Sequence, residues 1–362
     1  MPVATKVNPV VSEQVLKKIF DYAIEQGASD IHFKADIPPM VRIDSKLSAI
    51  PQIGRFDPGQ SRRLIELTMT PEQVTLLNQK RELDFSFGYG EVRFRVNAYF
   101  EKGQLAAALR IIPKRVRTFR ELGIPPIVER FTQQAQGLFI ITGPTGHGKS
   151  TTLAAMVDHI NNSRTDHIIT IENPIEYVFG NKQSIVSQRE VGTDTFTFAR
   201  ALRSALRQDP NVILVGEMRD LETIDTTLTA AETGHLIFTT LHTNSAAQTA
   251  DRIIDVFPPY QQPQVRSQLA GVLLGIMSQR LIPKIGGGRV VATEILVASP
   301  AVRNMIREGK THQLDNIIAT SAAEGMISLD KVLAELVGKG EITIDDALIW
   351  AIDPKNLKTL IY

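Results

Sequence analysis

Nine consecutive residues, Gly143, Pro144, Thr145, Gly146, His147, Gly148, Lys149, Ser150 and Thr151, carry the strongest chemical signal in the chain. Their spacing fits the phosphate-binding pattern G-x-x-x-x-G-K-[ST]. The apolar run GLFIITG leads into them and STTLAAMVDHI leads out, so the loop is predicted to join a strand to a helix. Glycines let backbone N–H groups close around phosphate oxygens, and the helix N-terminus adds a dipole that favours anions. In this pattern Lys149 reaches the β- and γ-phosphates and the Ser150 hydroxyl ligates Mg2+. A glycine-rich turn alone is usually only a turn. The strand before it and the helix after it make ATP with Mg2+ the expected ligand.

Further along, NVILVGE places Glu217 at the end of an apolar strand, the position of a Walker B acid. Gly216 stands where many phosphate-loop enzymes carry an aspartate. Metal contact through water is therefore expected for Glu217, together with orientation and polarisation of the attacking water. TIENPIE ends another strand and directs Glu172 toward the same crevice, where a capping role is the plain alternative. His242 closes the run HLIFTTLH at the place of a γ-phosphate sensor, and His235 opens it with function and structure evenly balanced. In the N-terminal third, Arg93, Arg95 and Asn97 alternate with Val92, Phe94 and Val96, so the arginines point away from the apolar set. Arg95, and Arg110 in the strand AALRIIP, are candidates to supply charge to ATP at a domain or subunit junction. A solvated strand face is the alternative.

These residues need elements to hold them. The chain has 362 residues, too many for one ordinary core, and is expected to divide. Residues 1–112 read as an α+β unit. An amphipathic helix covers 12–26, burying Val15, Ile19, Phe20 and Ala23; a second helix covers about 57–70; strands lie near 83–87, 91–100 and 104–112. Residues 113–125, basic and bounded by prolines, are expected as a linker. Residues 126–290 then alternate continuous apolar strands with helices, as central parallel strands covered on both faces do. Residues 291–362 give one more strand and then helices. In the helix expected after Ser299-Pro300, Val302, Met305 and Ile306 share one face, leaving Arg303, Arg307 and Glu308 partly free.

Composition narrows the function. With 43% hydrophobic and 22% charged residues the chain is expected to be globular. Forty basic against 39 acidic residues leave a charge of +1, which does not call for nucleic acid. The absence of cysteine excludes disulfides and a thiolate zinc site. No run approaches the roughly 18–20 apolar residues of a membrane span. A cytoplasmic protein without direct membrane insertion is expected.

Taken together, GPTGHGKSTTLAAM, TIENPIEYV, DPNVILVGEMRDLETI and AAETGHLIFTTLHTNSAAQTADRIIDVFP resemble the Walker A, Asp box, Walker B and His box of the secretion ATPases. The resemblance is closest to the PilT-type retraction ATPases of type IV pili and extends over nearly the whole chain. Residues 301–308 (AVRNMIRE) resemble the C-terminal retraction motif of that family. The resemblance implies a RecA-like P-loop ATPase domain of α/β class, a smaller PAS-like α+β domain and C-terminal helices. It also implies a homohexamer at the inner face of the inner membrane, driving a PilC-type platform protein. Arg95 and Arg110 match arginines directed at nucleotide, and Arg303 and Arg307 match the coupling segment.

Two residues depart from the family pattern. His147 replaces the usual serine in the loop, and Asn173 the usual aspartate in the Asp box. Several related readings stay open at this level. A pilus-assembly or type II secretion ATPase shares the core but is usually longer and often carries a four-cysteine module. A PilU-type accessory ATPase differs chiefly in its C-terminal segment. A low-turnover nucleotide switch is opposed by Glu217, and a nucleic-acid motor by the near-neutral charge.

Overall fold

The computed structural model describes residues 12–43, 46–90, 92–112 and 115–361. The N-terminal residues 1–11, and Pro113 and Lys114 of the expected linker, lie outside that range. Two compact units result: residues up to Arg115 with Glu176–Val178, and Val116–Ile175 with Phe179–Tyr362.

In the smaller unit, strands β1 (Asp30–Phe33), β2 (Met40–Ile43), β3 (Lys46–Ala49), β4 (Glu82–Tyr89), β5 (Val92–Glu101) and β6 (Gln104–Ile112) form an antiparallel sheet in the order β3-β2-β1-β6-β5-β4. Helix α1 (Glu13–Glu25) buries Leu16, Ile19, Phe20 and Ala23, and Phe20 packs 4.8 Å from Phe94 of β5. Leu16, rather than the expected Val15, is the fully buried member of that stripe. The helix expected over 57–70 is α2 (Pro58–Glu66), and a further helix that was not expected, α3 (Pro71–Lys80), follows it. Pro71 has no N–H to continue a helix, and Thr70, extended before it, opens a new capping box with Gln73.

The larger unit begins inside the expected linker. Helix α4 (Phe119–Leu122) is capped by Thr118, and Phe119 and Ile124 are buried in that unit's core. Helix α5 (Ile127–Thr132) leads to β7 (Gly137–Thr142). There follow α6 (Lys149–Ser163), β8 (His167–Glu172), β9 (Ile185–Glu190), α7 (Phe198–Ala205), β10 (Val212–Val215), α8 (Leu221–Glu232), β11 (Leu236–Thr240), α9 (Ala246–Asp255) and α10 (Gln262–Val272). Strands β12 (Leu273–Pro283) and β13 (Arg289–Val297) complete the sheet. The helices α11 (Pro300–Glu308), α12 (Leu314–Thr320), α13 (Leu329–Gly338), α14 (Ile344–Trp350) and α15 (Pro354–Ile361) close the chain.

The order β13-β12-β7-β11-β10-β8-β9 is parallel throughout except for β13. Alternate residues of each strand leave for opposite faces. Leu138, Ile140, Ile213, Val215 and Ile237 join one core with α7 to α10, while Phe139, Ile141, Val212, Leu214 and Phe238 join the other with α4 to α6. Burial of each such side chain contributes about 1.5–3 kcal/mol, which is why these strands are apolar on both faces. The last strand is thus part of the larger unit's sheet, and α13 to α15 pack on it through Ile282, Ala292, Leu329, Leu333 and Leu357. Among the described residues no helix is long and apolar enough to cross a membrane.

Candidate active site

The C-terminal ends of β7, β8, β10 and β11 lie side by side, the edge of a parallel sheet where ligands bind. From β7 the chain turns through Gly143, Gly146 and Gly148, with φ of +134°, +81° and +82°. A Cβ at Gly143 would stand 2.2 Å from the carbonyl oxygen of Gln279, so only glycine lets the loop lie this close to β12. Helix α6 then starts at Lys149 without a side-chain cap, and Ser150 and Thr151 occupy its first turn. Amides at such a start favour phosphate.

Strand β12 braces this loop. Gln279 donates through Nε2 to the His147 carbonyl at 2.8 Å and accepts at Oε1 from the Thr152 hydroxyl at 2.7 Å. The Leu281 amide donates to His147 Nδ1 at 3.0 Å. Burial, then the positive charges of Lys149, Arg289 and Arg280, hold the His147 pKa below its usual value. A neutral imidazole is what an acceptor at Nδ1 requires.

Lys149 is buried, with Nζ donating to the carbonyls of Gly143 at 2.7 Å and Pro144 at 3.0 Å. Nζ also lies 3.5 Å from His242 Nδ1. On its other side, His242 Nε2 lies 3.6 Å from Glu217 Oε2, which pairs with Arg219 Nε at 2.8 Å. Burial and Lys149 lower the His242 pKa, with Glu217 opposing them, so the ring is held toward its neutral form. Residues far apart in sequence, Lys149, Glu217 and His242, therefore form one cluster.

The position of Glu217 is built from backbone. The Gly216 amide donates to the Ile171 carbonyl at 2.8 Å, its carbonyl accepts from the Thr240 hydroxyl at 2.6 Å, and the Met218 amide donates to the Thr240 carbonyl at 3.2 Å. A Cβ at Gly216 would lie 3.2 Å from the Ile171 oxygen and 3.5 Å from the Glu172 Cα. A side chain at this position would need the neighbouring strand end to give by a few tenths of an ångström. Glu172, ending the neighbouring strand, accepts from the Thr170 hydroxyl at 2.8 Å and from Gln188 Nε2 at 3.3 Å, so its carboxylate lies over the β8–β9 edge. His235 sits at the far end of β11, its Nδ1 2.9 Å from the Ala230 carbonyl at the close of α8, which is a structural role.

The other candidates stand elsewhere. Arg95 and Arg110 face each other across β5 and β6 in the smaller unit, and Arg110 pairs with Asp30 at 3.0 Å. On α11, Val302 and Ile306 are buried and Met305 partly so, as the spacing predicts. Arg303 is not the partly free cation expected. Its guanidinium donates to the carbonyls of Ala298 at 3.0 Å, Gly271 at 2.7 Å and Ala270, and so caps the end of α10. Burial and the neighbouring Arg307 lower its pKa. Glu308 pairs with Lys310 at 2.7 Å, and Arg307 remains exposed. The sequence reading missed Arg219, Gln279, Leu281 and Trp350. One signal was available: Ser278, Gln279 and Arg280 form a polar triplet inside an apolar run, and all three are buried.

Known proteins share this arrangement. The family model described as "Type II/IV secretion system protein" matches residues 5–346. The type IV pilus retraction ATPase PilT of Pseudomonas aeruginosa is 48% identical over 342 residues, covering 94% of this chain and 99% of that protein. A twitching motility protein of Neisseria gonorrhoeae is 47% identical over 313 residues, covering 85% of this chain and 83% of that protein. A crystal structure of the pilus retraction motor PilT with bound ADP superposes with a TM-score of 0.89 at 49% identity, covering 95% of this chain and 99% of that one.

Proposed function

The chain belongs to the type II/IV secretion system protein family, among its PilT-type ATPases of pilus retraction, and from that membership we propose how its residues run the reaction. The observation that carries the proposal is the cluster of Lys149, His242 and Glu217 beside the phosphate-binding loop. ATP lies with its phosphates against the amides from Gly143 to Thr151. Lys149 exchanges its carbonyl partners, Gly143 and Pro144, for the β- and γ-phosphate oxygens. Glu217 orients and polarises the attacking water, and Arg219 holds that carboxylate in place. His242, neutral and between Lys149 and Glu217, senses whether the γ-phosphate is present.

The donors at the site fit Mg2+, which in phosphoryl transfer needs only one or two protein oxygens besides phosphates and water. The Ser150 hydroxyl would hold it directly and Glu217 through water. When bound, the ion would neutralise charge on the phosphates. Glu172, on the adjacent strand end, contributes negative potential near it.

Six copies forming a ring, with Arg95 and Arg110 directed at nucleotide, would complete the motor. The ring acts from the cytoplasm on an inner-membrane platform protein of the PilC type. Of the coupling pair, Arg307 is the residue exposed for such contact, while Arg303 fixes α11 to α10. Complementation of a retraction-deficient piliated host tests this reading. The wild-type gene should restore twitching and reduce surface pili, and Lys149→Ala should restore neither. Bald, non-twitching cells on deletion of the native gene would assign the motor to assembly and overturn it.

A further inference from the structure

His147, the loop residue that departs from its family's serine, is held from two directions. Its Nδ1 accepts from the Leu281 amide of β12 at 3.0 Å. Its ring also meets the ring of Trp350 edge-on, with centroids 5.0 Å apart at an interplanar angle of 62°. Trp350 is the last residue of α14, far from the loop in sequence, and the backbone at and just after it is tied down twice. Arg280 donates to its carbonyl at 2.5 Å, and the Asp330 carboxylate of α13 accepts from the amides of Ile352 at 2.8 Å and Asp353 at 2.9 Å. Arg280 also donates to the carbonyl of Asn244 at 2.9 Å, two residues beyond His242. One strand thus connects the phosphate loop, the His242 loop and the C-terminal helices.

We propose that His147 and Trp350 form a positioning contact through which the C-terminal helices and the nucleotide loop sense each other. Nucleotide entering the loop shifts His147 against the Trp350 ring, and displacement of α14 in turn alters nucleotide affinity. The glycines on both sides of His147 let the loop adjust, while Leu281 and Arg280 keep the two rings on one strand. Neither residue touches the reacting atoms, so the effect falls on affinity and not on chemistry. This inference rests on the loop being the nucleotide site.

The chain contains one tryptophan, so its fluorescence reports Trp350 alone. Titration of the purified full-length protein with ADP should change that emission, with the midpoint that calorimetry gives for ADP binding. In His147→Ser the calorimetric binding should persist, weakened about 2- to 10-fold, as loss of an aromatic contact implies. The fluorescence change should be largely lost. Trp350→Leu should raise KM for ATP by a similar factor with kcat nearly unchanged, and the double variant should be no weaker than either single one. His147→Asn, which keeps an acceptor for the Leu281 amide but no ring, should behave as His147→Ser does. A fluorescence change of full size in His147→Ser at saturating ADP, or additive losses in the double variant, overturns the contact. Absence of any calorimetric binding by the wild type overturns the nucleotide site itself, and the contact with it.

Discussion

The phosphate loop and the strand that braces it meet atom against atom but do different work. In the loop, Gly143, Gly146 and Gly148 contribute backbone, and Lys149 and Ser150, at the start of α6, are the residues proposed to contribute the chemistry. In β12 the contribution is almost wholly supportive: Gln279 and the Leu281 amide hold His147, and Arg280 holds the chain behind His242. The difference teaches that the parts proposed to meet phosphate are contiguous, whereas the parts which fix their geometry are spread over the fold. Changes at Lys149 or Ser150 should therefore remove turnover, and changes in the brace, or at His147 where the brace holds the loop, should weaken affinity while leaving turnover measurable.

The largest expected effect is in the loop. Lys149→Ala should lower ATP turnover of the purified protein by about 10²–10³ or more, since it removes charge aimed at the phosphates. Its thermal unfolding should stay cooperative, because two of the Lys149 partners are loop carbonyls and not core groups. Near-normal phosphate release from a folded variant would dissolve the distinction between loop and brace.

A smaller effect is expected in the brace. Gln279→Leu leaves the buried Thr152 hydroxyl and the His147 carbonyl without their partner. Such a loss costs about 1–3 kcal/mol. Steady-state kinetics should show KM for ATP raised roughly 10-fold, with kcat changed much less. Equal falls in kcat and kcat/KM would place Gln279 in the chemistry.

The smallest effect concerns the strand behind the brace. Glu294 of β13 lies opposite Ser278, accepts from the Ala246 amide at 2.7 Å, and is almost wholly buried. Burial pushes its carboxyl up from 4.5 to about 7, with Asp315 and Asp330 adding to the rise and the Ala246 amide and Arg280 opposing it. The folded protein therefore binds this proton more tightly than the unfolded chain. Stability should fall as pH rises from about 4.5 to about 7 and level off above. Glu294→Gln keeps an acceptor for Ala246 but cannot ionise. Melting curves across this interval should slope less for the variant, and identical slopes would exclude Glu294 as their source.

The same two regions mark what a reader of the sequence can see. The loop is legible because its constraints are local: glycines for positive φ, then lysine and serine at a helix start. Strands β7, β8, β10 and β11 are legible as unbroken apolar runs. Strand β12 is not, because α10 ends at Val272 and β12 begins at Leu273, with no turn between them to mark the change. Strand β9, which mixes Ser187, Gln188 and Arg189 at the sheet edge, lacks an apolar run altogether. Arg303 illustrates a third limit. Helical spacing places it outside the buried stripe, yet a long guanidinium side chain reaches the carbonyls of a helix that only tertiary packing brings near.

The central claim is that Glu217 acts on water at a site built by the loop, and Glu217→Gln tests it most directly. The amide keeps the size of the side chain but loses the carboxylate charge that polarises water and pairs with Arg219. Binding of a fluorescent ATP analogue and release of phosphate should be measured on the same preparation. The account predicts nucleotide affinity close to wild type with phosphate release nearly abolished. Parallel loss of binding and turnover, or turnover that survives, would contradict it.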